Sequence, residues 1–171
     1  MKSVEQLMTA AKDCSQAGRL AQAEALYRAV LEKNPQHGEA LHMLGVLTYQ
    51  CGQPERAVEL ISRAIASAND NADYRLNLGI VQHSIGRLQE AETCCRQALI
   101  LRPDYAEAHY NLGVVLDGQG RLEAAAASYR RALELRPAFA EAHYNLGVLL
   151  DKQDRWDEAI ASFRRALEIR P

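Results

Sequence analysis

The amino-acid sequence repeats itself with a period of 34 residues. A fixed period of this size marks a chain built from one supersecondary unit stacked on copies of itself. Residues 106–137 and 140–171 are identical at 23 of 32 aligned positions. The same offset runs back through the chain. Pro171, Pro137, Pro103 and Pro35 share one column, with Asn69 at the missing step. Gly147, Gly113, Gly79 and Gly45 share a second, with Ala11 at its start. Gly120, Gly86, Gly52 and Gly18 share a third, with Asp154 last. Ala23, Ala57, Ala91, Ala125 and Ala159 form a fourth without exception. The units are 4–37, 38–71, 72–105, 106–139 and 140–171, within one expected domain spanning 1–171.

Each unit reads as two helices. The first half spaces apolar residues three and four apart, as in Tyr110, Leu112, Val115 and Leu116. A glycine then supplies a positive-φ residue that ends the helix. The second half resumes helical spacing with Leu122, Ala125, Tyr129, Ala132 and Leu133. A proline stops it, because proline has no N–H to continue the ladder. Pro54 instead opens a second helix, where a missing N–H costs nothing. Small residues in the first glycine column and in the alanine columns let helix axes approach closely. Helices of about 13–14 residues are marginal alone, so stacking must stabilise them.

These columns resemble the tetratricopeptide repeat: a bulky residue, then Leu-Gly, then Ala, an aromatic and Pro. The bulky position holds Leu7, Leu41, Arg75, His109 and His143, and the aromatic position Tyr27, Ile61, Cys95, Tyr129 and Phe163. The resemblance covers residues 4–171 and implies an all-α fold. It implies a right-handed α-solenoid of five helix-turn-helix repeats, with first helices lining a concave face. Counted from the start of each unit, positions 2, 5, 6, 9, 12 and 13 are then expected in that lumen.

Position 6 carries Thr9, Met43, Asn77, Asn111 and Asn145. Three asparagines at repeat spacing form a ladder. A primary amide donates and accepts, so it can pair with the backbone of a peptide running in the groove. Asparagine is also a poor residue for a helix interior. Position 2 is acidic throughout: Glu5, Glu39, Asp73, Glu107 and Glu141. Favourable placement near a helix N-terminus accounts for such acids. An acidic rim recruiting cationic or hydroxyl donors is the functional alternative, joined by Asp117, Asp151 and His83. Repeat domains that clamp a chaperone's C-terminal carboxylate use cations in this groove, and position 2 has none. Acid at position 2 with Asn at position 6 resembles the repeat arm of O-linked N-acetylglucosamine transferases. That resemblance implies Asp73 with Asn77, Glu107 with Asn111 and Glu141 with Asn145 as peptide-holding pairs. Tyr110, Tyr144, Val114, Val148 and Ile80 would add apolar contacts.

The net charge of −2 and pI of about 6.2 argue against nucleic acid and anionic membrane as partners. No apolar run approaches the ~18 residues of a membrane span. The start, from Met1 to Leu7, has no continuous apolar stretch of a signal peptide. The chain is therefore expected to be soluble and cytoplasmic. Cys14, Cys51, Cys94 and Cys95 lack the spacing of a zinc site or disulfide scaffold and read as reduced, small hydrophobes. The histidines form no ligand cluster, with His109 and His143 expected between paired helices and His42 and His83 in lumen columns. Neither metal nor cofactor is expected. Arg130 with Glu134, and Arg164 with Glu168, are spaced for ion pairs on a solvated convex surface that also carries Arg96, Arg131 and Arg165. No GxxxxGK[ST], GxSxG or HExxH motif occurs, so the chain is expected to be non-enzymatic by itself.

Solenoids need polar ends. Ser3 with Gln6 makes a capping box at the front. At the back, Ile160, Phe163, Leu167 and Ile169 expect another helix, and Trp156 reads as core that helps cover them. The expectation is a fragment of a longer protein or a chain that stacks on another copy through this face. The leading function is a binding module for an extended protein or peptide segment. The alternatives are the substrate-recruiting arm of a glycosyltransferase-type enzyme and a self-assembling scaffold.

Overall fold

The computed structural model describes residues 2–171; Met1, the first residue of the segment tested for a signal peptide, lies outside the described residues. Ten α-helices follow one another, and no strand occurs among the described residues. They are α1 (Val4–Gln16), α2 (Leu20–Lys33), α3 (Gly38–Gln50), α4 (Pro54–Ser67), α5 (Ala72–Ser84), α6 (Leu88–Leu101), α7 (Ala106–Gly118), α8 (Leu122–Leu135), α9 (Ala140–Asp151) and α10 (Trp156–Ile169). The all-α expectation holds. The helices pack in two compact units, one ending at Ile85 and one spanning Gly86–Pro171. The division falls in the turn between α5 and α6.

In the first unit, α1 pairs with α2 and α3 with α4, while α2 packs on α3 and α4 on α5. Its core runs through Leu7, Met8, Tyr27, Leu41, Leu44, Leu60 and Tyr74. The second unit repeats the pattern: α7 pairs with α8 and α9 with α10, α6 packs on α7 and α8 on α9, and α7 touches α9 directly. Every helix is 12–14 residues long, so burial against neighbours supplies what so few turns cannot. Ser3 forms the expected capping box: its Oγ accepts from Gln6 N–H at 3.2 Å, and Gln6 Oε1 accepts from Ser3 N–H at 3.0 Å. Pro54 opens α4 as expected.

Two small-residue columns have clear physical causes. An added Cβ on Gly113 would lie 2.6 Å from the Tyr129 ring, and on Gly147 2.7 Å from the Phe163 ring. Glycine here lets the first helix touch the aromatic of the second. The turn column serves a different need: Gly120 sits at φ +75° with open space around it, so backbone conformation, not crowding, selects glycine. Asp154 occupies the same turn in the last repeat and adopts φ 57°, the one non-glycine residue in that region among the described residues.

Three of the four thiols are buried, as small hydrophobes should be, and burial pushes Cys95 up to about 12. Cys51 is exposed, contrary to that expectation, because it caps the solvent end of α3. Trp156 also departs from expectation. It is 62% exposed, since it is the first residue of α10 and stands at the rim of the repeat.

Two stability measurements follow. Gly113→Ala should lower stability by about 1–2 kcal/mol, because overpacking against a buried ring outweighs the gain in helix propensity. Urea unfolding followed by circular dichroism reads this, and a stabilised variant would refute the close-contact account. Substitutions in the turn column should have opposite signs. Gly120→Ala should destabilise by about 1–2 kcal/mol, and Asp154→Gly should stabilise by about 0.5–1 kcal/mol, as the left-handed conformation dictates. Shifts of the same sign would rule that out.

Candidate functional site

In the first unit, the Asn77 carboxamide is held by the preceding repeat. Its Nδ2 donates to His42 Nε2 at 2.8 Å, which requires that ring nitrogen to be unprotonated. His42 stacks on Tyr74 with centroids 4.3 Å apart and is buried, although its column was expected in the lumen. Burial pulls the imidazole below its usual range, against the opposing pull of Asp73 and Glu39. Among the described residues, the Asn77 carbonyl accepts no hydrogen bond. Beside it lies a groove of about 210 Å³ lined by Val46, Tyr49, Gln50, Ile61, Ile80 and Val81. Glu39 is ion-paired with Lys12 at 2.7 Å. Asp73 is the second residue of α5, where Asn71 caps the helix by accepting from the Asp73 and Tyr74 N–H groups.

In the second unit, Asn145 uses the same device. Its Nδ2 donates to the Tyr110 hydroxyl at 3.1 Å, again one residue more than a repeat away. Tyr110 is half-buried between Tyr129 and Phe139, at centroid distances of 5.9 and 4.8 Å, and burial raises its phenol. Asn111 turns back on its own helix and donates to Glu107 O at 2.8 Å. Asn145 also hydrogen-bonds the Tyr129 side chain, while among the described residues the Asn111 carbonyl accepts no hydrogen bond. Val114 and Val148 are partly exposed on the same two helices, and Tyr144 is 56% exposed.

The position-2 acids are not a free rim. Glu107 is paired with Arg136, and Glu141 with Arg170 at 2.8 Å. Asp117 accepts from Lys152 Nζ at 3.1 Å, while Asp151 is exposed. These pairs are half-exposed, so each contributes about 0–1 kcal/mol while lowering the acidity offered to a ligand.

A groove of about 470 Å³ lies on α9 and α10 with Tyr110 at its edge. Its lining joins Glu141, Tyr144 and Asn145 to Phe163 and Leu167. Sequence placed the first three in a peptide groove and the last two on an open end; the fold puts them in one cavity. Ile160 and Leu167 are 48% and 64% exposed, with Phe163 and Ile169 partly covered.

Several functional-looking groups prove structural. His109 and His143 are partly exposed, and each Nε2 lies 3.0 Å from a proline carbonyl, of Pro103 and Pro137 respectively, fastening the turn that precedes their own helix. On α8 and α10, ion pairs join Arg131 to Glu134 at 2.7 Å and Arg165 to Glu168 at 2.8 Å. The expected partners, Arg130 and Arg164, are displaced by this three-residue spacing. Glu92 was missed entirely. It is 5% exposed, and its carboxylate accepts from Arg121 at 2.9 Å and Arg96 at 2.8 Å. Burial would raise it, but hydrogen bonds from Arg96, Gln119 and Arg121 outweigh that and hold it below the usual carboxylate range. The signal was faint, since its column holds Glu24 as well as Val58, Ala126 and Ile160, and only burial shows that this acid needs partners. Among the described residues, no group of three or more His, Cys, Asp or Glu is placed to hold a metal ion. No helix among them is long and apolar enough to cross a membrane.

Comparison with known proteins agrees with this architecture. Tetratricopeptide repeat models match residues 15–79, 70–138 and 110–171, which together run from residue 15 to the last residue. No curated protein matches the sequence. Among solved structures, a crystal structure of MamA is 28% identical, with a TM-score of 0.83 and 93% of each chain covered. PilF of Pseudomonas aeruginosa is 22% identical with a TM-score of 0.90, over 98% of this chain and 77% of that one. YrrB, described as a TPR protein with an unusual peptide-binding site, is 23% identical with a TM-score of 0.78, over 99% and 87%. With helix pairs beginning every 34 residues and three overlapping models of one family along them, this chain belongs to the tetratricopeptide repeat family.

Proposed function

We propose that this chain is a protein-interaction scaffold that holds an extended segment of a partner protein against the first helices of its repeats. The observation that carries the reading is the state of the three asparagines. Each commits an N–H to a group within the chain, which fixes the amide plane, and among the described residues the carbonyls of Asn77 and Asn111 accept no hydrogen bond. A fixed, half-satisfied carboxamide suits a peptide N–H without regard to side chain. Ile80 beside Asn77, and Val114, Val148 and Tyr144 beside the other two, offer apolar contact for the segment's side chains. Asp151 supplies an exposed carboxylate, and Glu107, Glu141 and Asp117 supply charge partly neutralised from within the chain. Protein binding is the common use of this fold, and YrrB, which shares it, is described as having a peptide-binding site.

The finer reading, a substrate-recruiting arm like that of O-linked N-acetylglucosamine transferases, needs acids that select ligand side chains. Glu107 and Glu141 are ion-paired, so the general scaffold is the reading we put forward.

The test is quantitative. A partner captured from lysate is reduced by truncation to its binding peptide and titrated calorimetrically. The Asn77/Asn111/Asn145→Ala variant, checked for native helicity, should bind it roughly a hundredfold more weakly, at about 1 kcal/mol for each neutral hydrogen bond. Equal affinity would show that the asparagines do not read the ligand.

A further inference from the structure

The three asparagines of the first helices differ in what holds them, and one holder is a titratable ring. Asn111 Nδ2 donates to the Glu107 backbone carbonyl, which has no proton to gain or lose near neutral pH. Asn145 Nδ2 donates to the Tyr110 hydroxyl, and burial raises that phenol further from neutral pH. Asn77 Nδ2 faces His42 Nε2 at 2.8 Å. His42 and Tyr110 share a column, so an imidazole stands here where a later repeat has a phenol. Histidine is the side chain whose charge ordinarily changes between pH 5 and 8.

The groups that act on this ring come from three helices of the first unit. Tyr74 of α5 stacks on it with centroids 4.3 Å apart, and His42 is 7% exposed. Burial raises the Tyr74 phenol, which therefore stays uncharged. Two carboxylates favour the imidazolium: Asp73 of α5 and Glu39 of α3, the latter paired with Lys12 of α1 at 2.7 Å. Burial outweighs both, so the ring is neutral at pH 7. A neutral Nε2 accepts from Asn77, and the Asn77 carbonyl is left as an acceptor on the other side of the amide. A proton on Nε2 reverses this. An imidazolium only donates, so two N–H groups would face each other until the carboxamide turns over about χ2. The Asn77 carbonyl then accepts from His42, and its N–H groups stand where the carbonyl was. Asp73 and Glu39 offset the charge on the ring, so the turn needs no unfolding.

We infer that His42 is a positioning residue for Asn77: its protonation exchanges the acceptor that Asn77 shows a bound segment for a donor, and so weakens the ligand at this one position as pH falls. The inference deepens the extended-segment reading and rests on it for the effect on a ligand. A peptide N–H that pairs with the Asn77 carbonyl at pH 7 meets another N–H after the turn. Asn111 and Asn145 keep their orientation, so the ligand is loosened rather than released. The sign follows from the ring: affinity is full where His42 is neutral and falls as acid protonates it.

Side-chain nitrogen NMR of the intact, ligand-free chain tests the orientation by itself. At about pH 7.5, Nε2 should be the unprotonated nitrogen of His42. On titration to about pH 4.5, the Asn77 carboxamide resonances should move together with the His42 ring, while those of Asn111 and Asn145 do not follow it. A proton on Nε2 at the start, a ring that stays neutral throughout, or an Asn77 amide indifferent to the ring would overturn the inference. The effect on a ligand is read by calorimetry at about pH 7.5 and about pH 5.5, with the binding peptide of the preceding test. The native chain should lose about fivefold more affinity on acidification than His42→Gln, whose amide oxygen accepts from Asn77 without titrating. Asn77→Ala should match His42→Gln in this pH profile. A histidine that merely supports the fold would give identical profiles for the native chain and His42→Gln. That result, in a chain whose triple asparagine variant does weaken the peptide, would also overturn the inference. The two readings fail separately. A wrong proton position in the free chain strikes the role of His42 and leaves the extended path, whereas equal peptide binding by the triple asparagine variant strikes the extended path.

Discussion

A helix of three to four turns has too few hydrogen bonds to persist in water, so this protein depends on how closely its helices can approach one another. The contact that sets the distance is a first-helix glycine against a second-helix ring or branched chain. Gly113 meets Tyr129, Gly147 meets Phe163, and Gly45 meets Ile61. None of these pairs has room for a methyl group. Once they are in place, the alanine columns bury fully, and the remaining large residues fill the space between consecutive helices.

The coupling between repeats is more specific than apolar packing. Asn77 reaches His42, and Asn145 reaches Tyr110, each across one repeat and one residue. A residue that reads as a ligand-binding group is therefore also a tie between neighbouring repeats. The two roles are compatible, because a carboxamide has a second N–H and a carbonyl to offer. The same economy recurs among the charges. Glu107 and Glu141 neutralise arginines at the end of the second helix, and Asp117 neutralises Lys152. A surface that looks acidic by column is closer to neutral once its partners are counted. Glu92 shows the limit of the pattern: a buried carboxylate is tolerated because two guanidiniums and their hydrogen bonds accompany it.

Most of the fold was legible because periodicity encodes secondary structure directly. The glycine, alanine and proline columns located helices, turns and the glycines that admit rings. The capping box of Ser3 and Gln6 and the helix-opening role of Pro54 were local, and local signals read well. The candidate site was legible only as columns. Asn77, Asn111 and Asn145 share a position, yet they have three different partners, because the residue facing each amide differs. His42 was assigned to a lumen but lies under Tyr74, and Trp156 was assigned to a core but stands at a rim. The arginines of α8 and α10 pair at three residues where four was expected, a choice between rotamers that spacing alone does not make.

The sequence by itself determined the repeat, its family, its helices and the absence of catalytic motifs, since each is written in residue type and spacing along the chain. Only the tertiary structure decided which side chains meet across repeats. It tied the asparagines to His42 and Tyr110, paired the acids with their cations, and merged Tyr144 and Asn145 with Phe163 and Leu167 in one groove. The physical reason is that a period fixes a residue's place on its own helix, whereas a contact depends on the neighbouring helix as well. That second term varies from repeat to repeat.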